Sequence, residues 1–288
     1  MSGQVKRPAD RVVLSPAGCR AAILEVIRGA KREISLSLFR CNDKEIFDEL
    51  ERAGDRGVAV TALVTARAEG STKKLEKLRR RLLDTGAKVT VYADPVVKYH
   101  AKYLVADDGP AIVASLNFTK KCFSKTLDAL VVTHDADVVS GLRAIMDADC
   151  EMRPAPASLP ARLIVGPERA RAQLTALLKG AQSSIRLLDA KLSDPAFVAL
   201  LAERRAAGVR VETFDRKKYG ELKSHGKVCL IDDRIAVVGG LALAPLSLDF
   251  RREVAIVVDQ RDAIREVGAF LDAITATSTG ASAAAALG

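Results

Sequence analysis

The chain has 288 residues, 49% hydrophobic and 28% charged, enough apolar mass for a full core and too much for wholesale disorder. With 45 Lys and Arg against 36 Asp and Glu the net charge is +9, so an anionic substrate or partner is expected. No apolar run approaches a membrane span and the start MSGQVKRPADRVVLSP lacks a signal-peptide core, while five scattered cysteines (Cys19, Cys41, Cys122, Cys150, Cys229) with no CxxC pair argue against a disulfide frame or zinc site, so a soluble cytoplasmic protein is expected.

Read in chain order, the sequence predicts a helix, an apolar strand at Ile34–Phe39, a second helix from about Asp43 to Ala53, and a strand at Val58–Val64. Asp43 stands where an N-cap is useful. STKKLEKLRRRLLD follows as a basic helix, read as a solvated surface helix with a substrate-facing role as the alternative; AKVTVYA is the next strand. Tyr103–Ala106, Asp107-Asp108-Gly109 and Ala111–Ala114 read as strand, turn and strand, and LDALVVT as a further apolar strand carrying Asp128. The three prolines of EMRPAPASLPAR, residues 151–162, mark a linker, and the small-residue end at 276–288 is expected to be disordered.

The order after the linker repeats the order before it. At an offset of 151, Gly29-Ala30 falls on Gly180-Ala181, Ile34 on Ile185, Leu36 on Leu187, Asp43 on Asp194 and Gly57-Val58 on Gly208-Val209. Between Val64 and His100 lie 35 residues, against 9 between Asp215 and His225, so the offset falls to 125 and the alignment resumes. The basic helix and its strand are the excess of the first copy. Strand–helix alternation in both copies predicts α/β sandwiches: two related halves, 10–150 and a shortened 163–275, docked as a pseudo-twofold unit with any site at their interface.

Two of the chain's three histidines occupy matching positions. His100-Ala-Lys102 meets His225-Gly-Lys227, Asp107-Asp108 meets Asp232-Asp233, and Asp128 meets Glu253, each 28 residues past its histidine. His and Lys at i and i+2 of a strand share a face, so imidazole and ammonium can converge on one oxyanion. Ser115 and Asn117 can add hydroxyl and amide donors, and Asp128 can hold the second nitrogen of an imidazole and fix its tautomer. A nucleophile, a charged clamp, neutral donors and an orienting carboxylate suit phosphoryl chemistry. Asp107 and Asp232, five residues past the lysines, fall at the turn and read as structural members of the motif.

The pattern H-x-K-x4-D, twice in one chain and followed in the first copy by Ser115-x-Asn117, resembles the phospholipase D superfamily, cardiolipin synthase and phospholipase D-like proteins included. The resemblance spans nearly the whole chain and implies two phospholipase D-like α-β-α halves. It implies a two-step displacement with neither metal nor cofactor. One histidine forms a covalent phosphohistidine while the other protonates the leaving alcohol and then activates water or an acceptor alcohol. Carried over by position, His100 is the nucleophile and His225 the general acid/base, the reverse order being the alternative. Lys102 and Lys227 would bind the phosphate oxygens with Ser115 and Asn117, and Asp128 and Glu253 would orient the histidines. The catalytic set of the motif is then His100, Lys102, Asp107, Asp128, His225, Lys227, Asp232 and Glu253. A phospholipid head-group diester, hydrolysed or transferred, is the first substrate expectation, with peripheral membrane contact open. A nucleic-acid phosphodiesterase is the alternative, because Ser115-Leu-Asn117-Phe118-Thr119 resembles the SxNFT run of the superfamily's small endonucleases. A weakly active binding module for anionic lipid or nucleic acid is the third.

The second copy departs from the pattern with Gly240 for Ser115 and Ala242 for Asn117, which predicts an asymmetric site with the phosphate nearer the first half. His134 is read as a strand-end or surface residue and Cys229 as core. Lys120, Lys121 and Lys125 follow one motif and Arg216, Lys217, Lys218 and Lys223 precede the other, an expected electropositive rim. Both histidines lie on one chain, so a functional monomer is expected.

Overall fold

The two copies form two sheets whose strands lie in the same order. The computed structural model of the protein describes residues 7–67, 72–215 and 218–278. The first half runs β1 (Arg11–Val13), α1 (Pro16–Gly29), β2 (Glu33–Leu38), α2 (Lys44–Asp55), β3 (Ala59–Thr65), α3 (Thr72–Asp84) and β4 (Lys88–Tyr92). It continues through β5 (Lys98–Tyr99), β6 (Tyr103–Ala106), β7 (Ala111–Ala114), α4 (Cys122–Lys125), β8 (Thr126–Leu127), β9 (Leu130–Thr133) and α5 (Ala136–Cys150). The second half runs β10 (Leu163–Gly166), α6 (Ala170–Lys179), β11 (Ser184–Leu188), α7 (Pro195–Ala206), β12 (Arg210–Phe214), β13 (Lys218–Tyr219) and β14 (Leu222–Ser224). It ends with β15 (Lys227–Ile231), β16 (Ile235–Gly239), α8 (Pro245–Asp249), β17 (Arg251–Val258) and α9 (Arg261–Ser278).

The first sheet has the order β1-β9-β7-β6-β2-β3-β4 and the second β10-β17-β16-β15-β11-β12. The registers carry both offsets: Ile34 pairs with Val60 and Ala106, as Ile185 pairs with Val211 and Ile231. Only β4 lacks a counterpart in the second sheet, as the longer first copy requires. Asp43 and Asp194 each accept two backbone N–H groups at the start of α2 and α7, the expected N-caps. LDALVVT breaks into β8 and β9, leaving Asp128 in the gap between them rather than on a strand.

Alternation along each strand divides the core into three layers. On β6, Tyr103 and Val105 face a central cluster while Leu104 and Ala106 face an outer one beneath α1 and α2. A matching outer cluster lies under α6 and α7 and holds Cys229, in agreement with its reading as core. The central cluster belongs to both halves, joining Tyr103, Val113 and Leu142 to Val228, Val238, Val267 and Ile274. Neither sheet could bury this face alone, so the halves fold as one body.

Short strands stitch the halves near their ends. β5 pairs in parallel with β17, Lys98 opposite Arg251, and β14 pairs in parallel with β8, Lys223 opposite Thr126. Those are the same positions under the 125 offset. Arg252, 2% exposed, reaches across to Asp149 at the end of α5 (2.8 Å), and also binds Glu168 (2.6 and 2.9 Å) and the Gly166 carbonyl (2.8 Å).

Residues 151–162 contain no helix or strand. Helix α9 continues to Ser278, past the expected start of the tail at 276, and residues 279–288 lie outside the described residues. All five cysteines are free. No helix of the described residues is long and apolar enough to cross a membrane.

Removing one member of a buried charge cluster strands the others, at a cost of about 3–5 kcal/mol. Arg252→Ala is therefore expected to lower the unfolding free energy by about that amount in a urea titration. A midpoint unchanged from the wild type would show that the cross-half cluster carries no stability.

Candidate active site

Both histidines stand just ahead of the strands expected to carry them, His100 before β6 and His225 before β15. Their backbones are held by the opposite half. The amide of His100 donates to the Arg252 carbonyl (2.9 Å), and those of His225 and Gly226 donate to Leu127 (3.3 and 2.7 Å). Residues 252 and 127 immediately precede Glu253 and Asp128, so the stitched strands deliver each histidine to the other half's carboxylate. His100 Nδ1 donates to Glu253 Oε1 (2.6 Å), and His225 Nδ1 donates to Asp128 (2.8 Å to Oδ1, 3.1 Å to Oδ2). Sequence spacing had placed each carboxylate in the frame of its own histidine; the structure exchanges them. With Nδ1 committed, Nε2 of each ring carries the lone pair.

The lysines lie beneath the pair. Lys102 (1% exposed) and Lys227 (9%) each donate from Nζ to the carbonyl of the histidine two residues earlier, leaving further N–H groups for a ligand. Lys102 Nζ also lies 2.9 Å from His100 Nδ1 and 3.9 Å from Glu253 Oε2. Burial drives Lys102 down to about 8 against the pull of Glu253, and the charges of Lys227 and Arg251 add to the depression. Burial likewise takes His100 down to about 3; Glu253 opposes this while Lys102 and Arg251 reinforce it. Burial would raise Glu253, but His100 and the ammonium groups of Lys102 and Lys227 hold it below the usual carboxylate range. His100 is therefore a neutral imidazole beside an ionised carboxylate, in a cluster where Lys102, Lys227 and Arg251 gather.

The two carboxylates are braced differently. Ser115 Oγ donates to Asp128 Oδ1 (2.8 Å) and accepts from the Ala129 amide (2.9 Å), and Thr126 Oγ1 donates to Asp128 Oδ2 (2.6 Å). Ser115 is thus spent on Asp128 rather than offered to a phosphate, and it supports the base instead. At Gly240, where the second copy lacks that serine, an added Cβ would lie 2.2 Å from Glu253 Oε2. The longer glutamate occupies the room that a side chain would need, while Ser247 Oγ sits 3.4 Å from its other oxygen. Gly for Ser and Glu for Asp are one compensated exchange. Gly226 is required for a similar reason, since a Cβ there would meet Asp128 Cα at 2.9 Å.

The imidazoles differ in exposure as well. Phe39 covers His100 with ring centroids 4.3 Å apart, and that side chain is 15% exposed against 32% for His225. At offset 151 the residue matching Phe39 is Ala190. His225 opens onto a cavity of about 670 Å³, to which Asn117 also contributes; Asn117 Oδ1 is buried without a hydrogen-bond partner among the described residues. The basic helix α3 is mostly exposed, as expected of a surface helix, and also forms a wall of this cavity through Lys74, Lys77 and Arg81. The expansion of the first copy is a site element, and its charge pattern was the signal.

Asp107 and Asp232 are not in the site. Asp107 accepts the amides of Lys31, Arg32 and Glu33, and Asp232 those of Gln182, Ser183 and Ser184, so each closes the turn onto the start of β2 or β11. Their inclusion among the catalytic residues is corrected by this position. His134 is exposed just past β9. Lys120, Lys121, Lys125, Lys218 and Lys223 are exposed, with Lys121 on the cavity wall; Arg216 and Lys217 of the expected rim lie outside the described residues. Cys122, Asp128 and His225 place three potential metal donors within 4.8 Å of one another. Asp128 already accepts three side-chain bonds there, which a bound cation would have to displace.

Residues 23–150 match the family model described as cardiolipin synthase, PLD-like domain. Among solved structures, the chain resembles polyphosphate kinase from Porphyromonas gingivalis (TM-score 0.74, 18% identity), covering 95% of this chain and 47% of the kinase. It thus spans about half the length of that protein. It also resembles phosphatidylserine synthase from Haemophilus influenzae Rd KW20 (TM-score 0.71, 14% identity), covering 96% of this chain and 86% of the synthase. No curated protein sequence matches the chain.

An imidazole pushed down to about 3 stays neutral throughout the range in which a free histidine protonates. In a nitrogen-15 NMR titration, the His100 ring is expected to show no protonation from pH 7.5 to 5; a midpoint near 6.5 would contradict its burial. The linked stability has a fixed sign: the unfolded histidine gains its proton near 6.5 and the folded one only near 3, so this residue's contribution declines as pH falls through that window.

Proposed function

We propose that the chain is a phospholipase D-superfamily phosphodiesterase or phosphatidyltransferase acting through a phosphohistidine, with a phospholipid head-group diester as substrate, a reading supported by the family match over residues 23–150. The observation that carries this reading is the exchanged pair of His–carboxylate bonds, which leaves two Nε2 atoms available above two buried lysines.

In the first step His100 Nε2 attacks phosphorus, the P–N bond forms, and the bond to the leaving oxygen breaks. The leaving oxygen takes a proton from protonated His225. In the second step neutral His225 removes a proton from water or an acceptor alcohol. That oxygen attacks phosphorus, and the P–N electron pair returns to His100. Glu253 and Asp128 keep the Nδ1 protons in place throughout. Lys102 and Lys227 stabilise charge on the non-bridging oxygens, in a setting where burial strengthens each interaction. Two features favour His100 as the nucleophile. Burial keeps its ring neutral, and His225 is the more open to solvent. Asn117, on the cavity wall with His225, is a donor for the substrate. The cationic wall of α3 supports a polyanion, nucleic acid included, as the second substrate reading.

Purified protein in EDTA is expected to turn over mixed phospholipid vesicles. Supercoiled plasmid, tested in parallel, reads the second assignment. His100→Ala and His225→Ala should each lose at least about a hundredfold on substrates with poor leaving groups. With a good leaving group such as p-nitrophenolate, which needs no acid, phosphohistidine should accumulate in His225→Ala and be absent from His100→Ala; the opposite result reverses the roles.

The exchanged bonds make a further expectation. A p-nitrophenyl ester needs no acid to expel its leaving group, so the first step should survive His225→Ala and Asp128→Asn but not His100→Ala or Glu253→Gln. Burst-phase release of p-nitrophenol reads this directly. If Asp128→Asn instead behaved like His100→Ala, the exchanged pairing would be wrong.

On the alkaline side, Lys102, depressed to about 8, loses its charge as pH rises through that value. Activity should fall there, and Lys102→Arg should move the limb upward.

A further inference from the structure

The cavity against His225 has a counterpart in the second half. A second cavity, of about 380 Å³, is lined by Lys191, Ala242, Ala244, Leu246, Ser247 and Arg251. Most of its lining corresponds to residues of the first cavity, Ser193 to Asn42 and Ser247 to Cys122 included. Arg40 corresponds to Lys191 at offset 151; Asn117, Thr119 and Lys121 correspond to Ala242, Ala244 and Leu246 at offset 125. The second cavity adjoins the His100 side of the site, because Ser247 Oγ lies 3.4 Å from Glu253 Oε1 and Arg251 immediately precedes Glu253. The pseudo-twofold therefore places one pocket on each side of the reacting phosphorus.

Their chemistry has diverged. The first pocket keeps amide, hydroxyl and ammonium groups from Asn117, Thr119 and Lys121, and α3 adds Lys74, Lys77 and Arg81, none of which makes an ion pair with a described residue. In the second pocket the three matching positions carry only methyl and isobutyl groups, and among the described residues no helix corresponds to α3. Lys191 and Arg251 remain there; Lys227 and Arg251 both repel Lys191, and both repel Lys102 as well, so the two cations border the central anion site. The rim is apolar as well: Leu246 is 62% exposed and Phe250, beside Arg251, is 47% exposed. Val96, 64% exposed, lies on the same edge, two residues before Lys98, whose amide donates to the Phe250 carbonyl (2.9 Å). Of these exposed side chains Leu246 lines the pocket itself, Phe250 adjoins its lining residue Arg251, and Val96 lies near the backbone that pairs with Phe250.

We propose that the substrate is an amphiphilic phosphodiester bound across both pockets, with its anionic ester limb against α3 and its acyl-bearing limb over the Leu246–Phe250 lip. This rests on the phosphodiesterase reading and specifies it. A nucleic-acid strand carries charge on both sides of the scissile phosphate and has no use for an apolar lip flanked by Lys98, Lys191 and Arg251. A lipid surface fits both parts, because exposed apolar side chains enter the acyl boundary while the cations meet anionic head groups.

The test separates the limb assignment from turnover. The full chain is floated with vesicles of cardiolipin and phosphatidylcholine, with Leu246→Asp/Phe250→Asp, Lys74→Glu/Lys77→Glu and, as a control on α7, Val198→Asp. The lip variant is expected to lower the bound fraction at least tenfold at low and high salt alike. The same variant should reduce kcat/KM on vesicles relative to that on bis(p-nitrophenyl) phosphate by a similar factor. The α3 variant should weaken binding mainly at low salt and raise KM for cardiolipin, and Val198→Asp should bind as the wild type does. Circular dichroism and thermal melts check that each variant is folded. Flotation lost only in the lip and α3 variants, with no turnover of any diester, would sustain the limb assignment and overturn the enzymatic reading. A wild type that does not float, or a lip variant that floats normally, overturns the limb assignment. So does tenfold weaker binding of a single-stranded oligonucleotide by the α3 variant when vesicle binding is unchanged.

Discussion

Each imidazole of the pair is held by a carboxylate that the other half supplies, and most of the molecule is arranged to make those two bonds. The parallel pairings β5–β17 and β8–β14 dock each histidine's backbone beside the residue preceding its carboxylate. Arg252 shows how closely the two tasks are joined. Its carbonyl accepts the His100 amide, its guanidinium anchors the strand to Asp149 and Glu168, and its neighbour in sequence is Glu253. The shared central core is the hydrophobic side of the same constraint, since neither sheet is covered until the other is present. Buried charges of this kind persist only when each has its partner in place.

Within that frame the halves differ through small local trades. Asp128 is short and takes its bracing from Ser115 and Thr126; Glu253 is one methylene longer and fills the space that Gly240 leaves. Phe39 covers one imidazole, and Ala190 stands at the matching position in the other half. The result is one enclosed neutral ring and one ring that meets solvent, two environments from a repeated design. An acid and a nucleophile can thus be built from one residue type because their surroundings differ.

Much of this was legible in the sequence. The two offsets carried the strand registers, since a strand that keeps its alternation keeps its partner, and the Asp43 and Asp194 caps were visible as local chemistry. His100, Lys102, His225, Lys227, Asp128 and Glu253 could be named from matched spacing and do converge. The exchange of carboxylates could not be read this way, because spacing within each copy is identical whether the bonds run inside a half or between halves. The role of Ser115 was missed for a related reason: a hydroxyl near a phosphate site looks the same in sequence whether it faces ligand or base. For α3 the charge run was visible, but a solvated face and a cavity wall differ only in what lies opposite, and that is set by packing. Asp107 and Asp232 were placed at the turn by counting, and their bonds to the amides at the start of β2 and β11 give the physical reason for them.

The exchanged bonds also govern when a growing polypeptide acquires its chemistry. His100 is separated from Glu253 by 153 positions and Asp128 from His225 by 97, so neither bond can form until most of the polypeptide has left the ribosome. Until β17 docks, the first histidine has no partner to fix its tautomer and the central core lies open. A chain that stops before Glu253 therefore lacks the carboxylate that holds the His100 ring. The last strand of the second sheet brings Glu253 to His100, and α9, which follows it, closes the central core with Val267, Leu271 and Ile274.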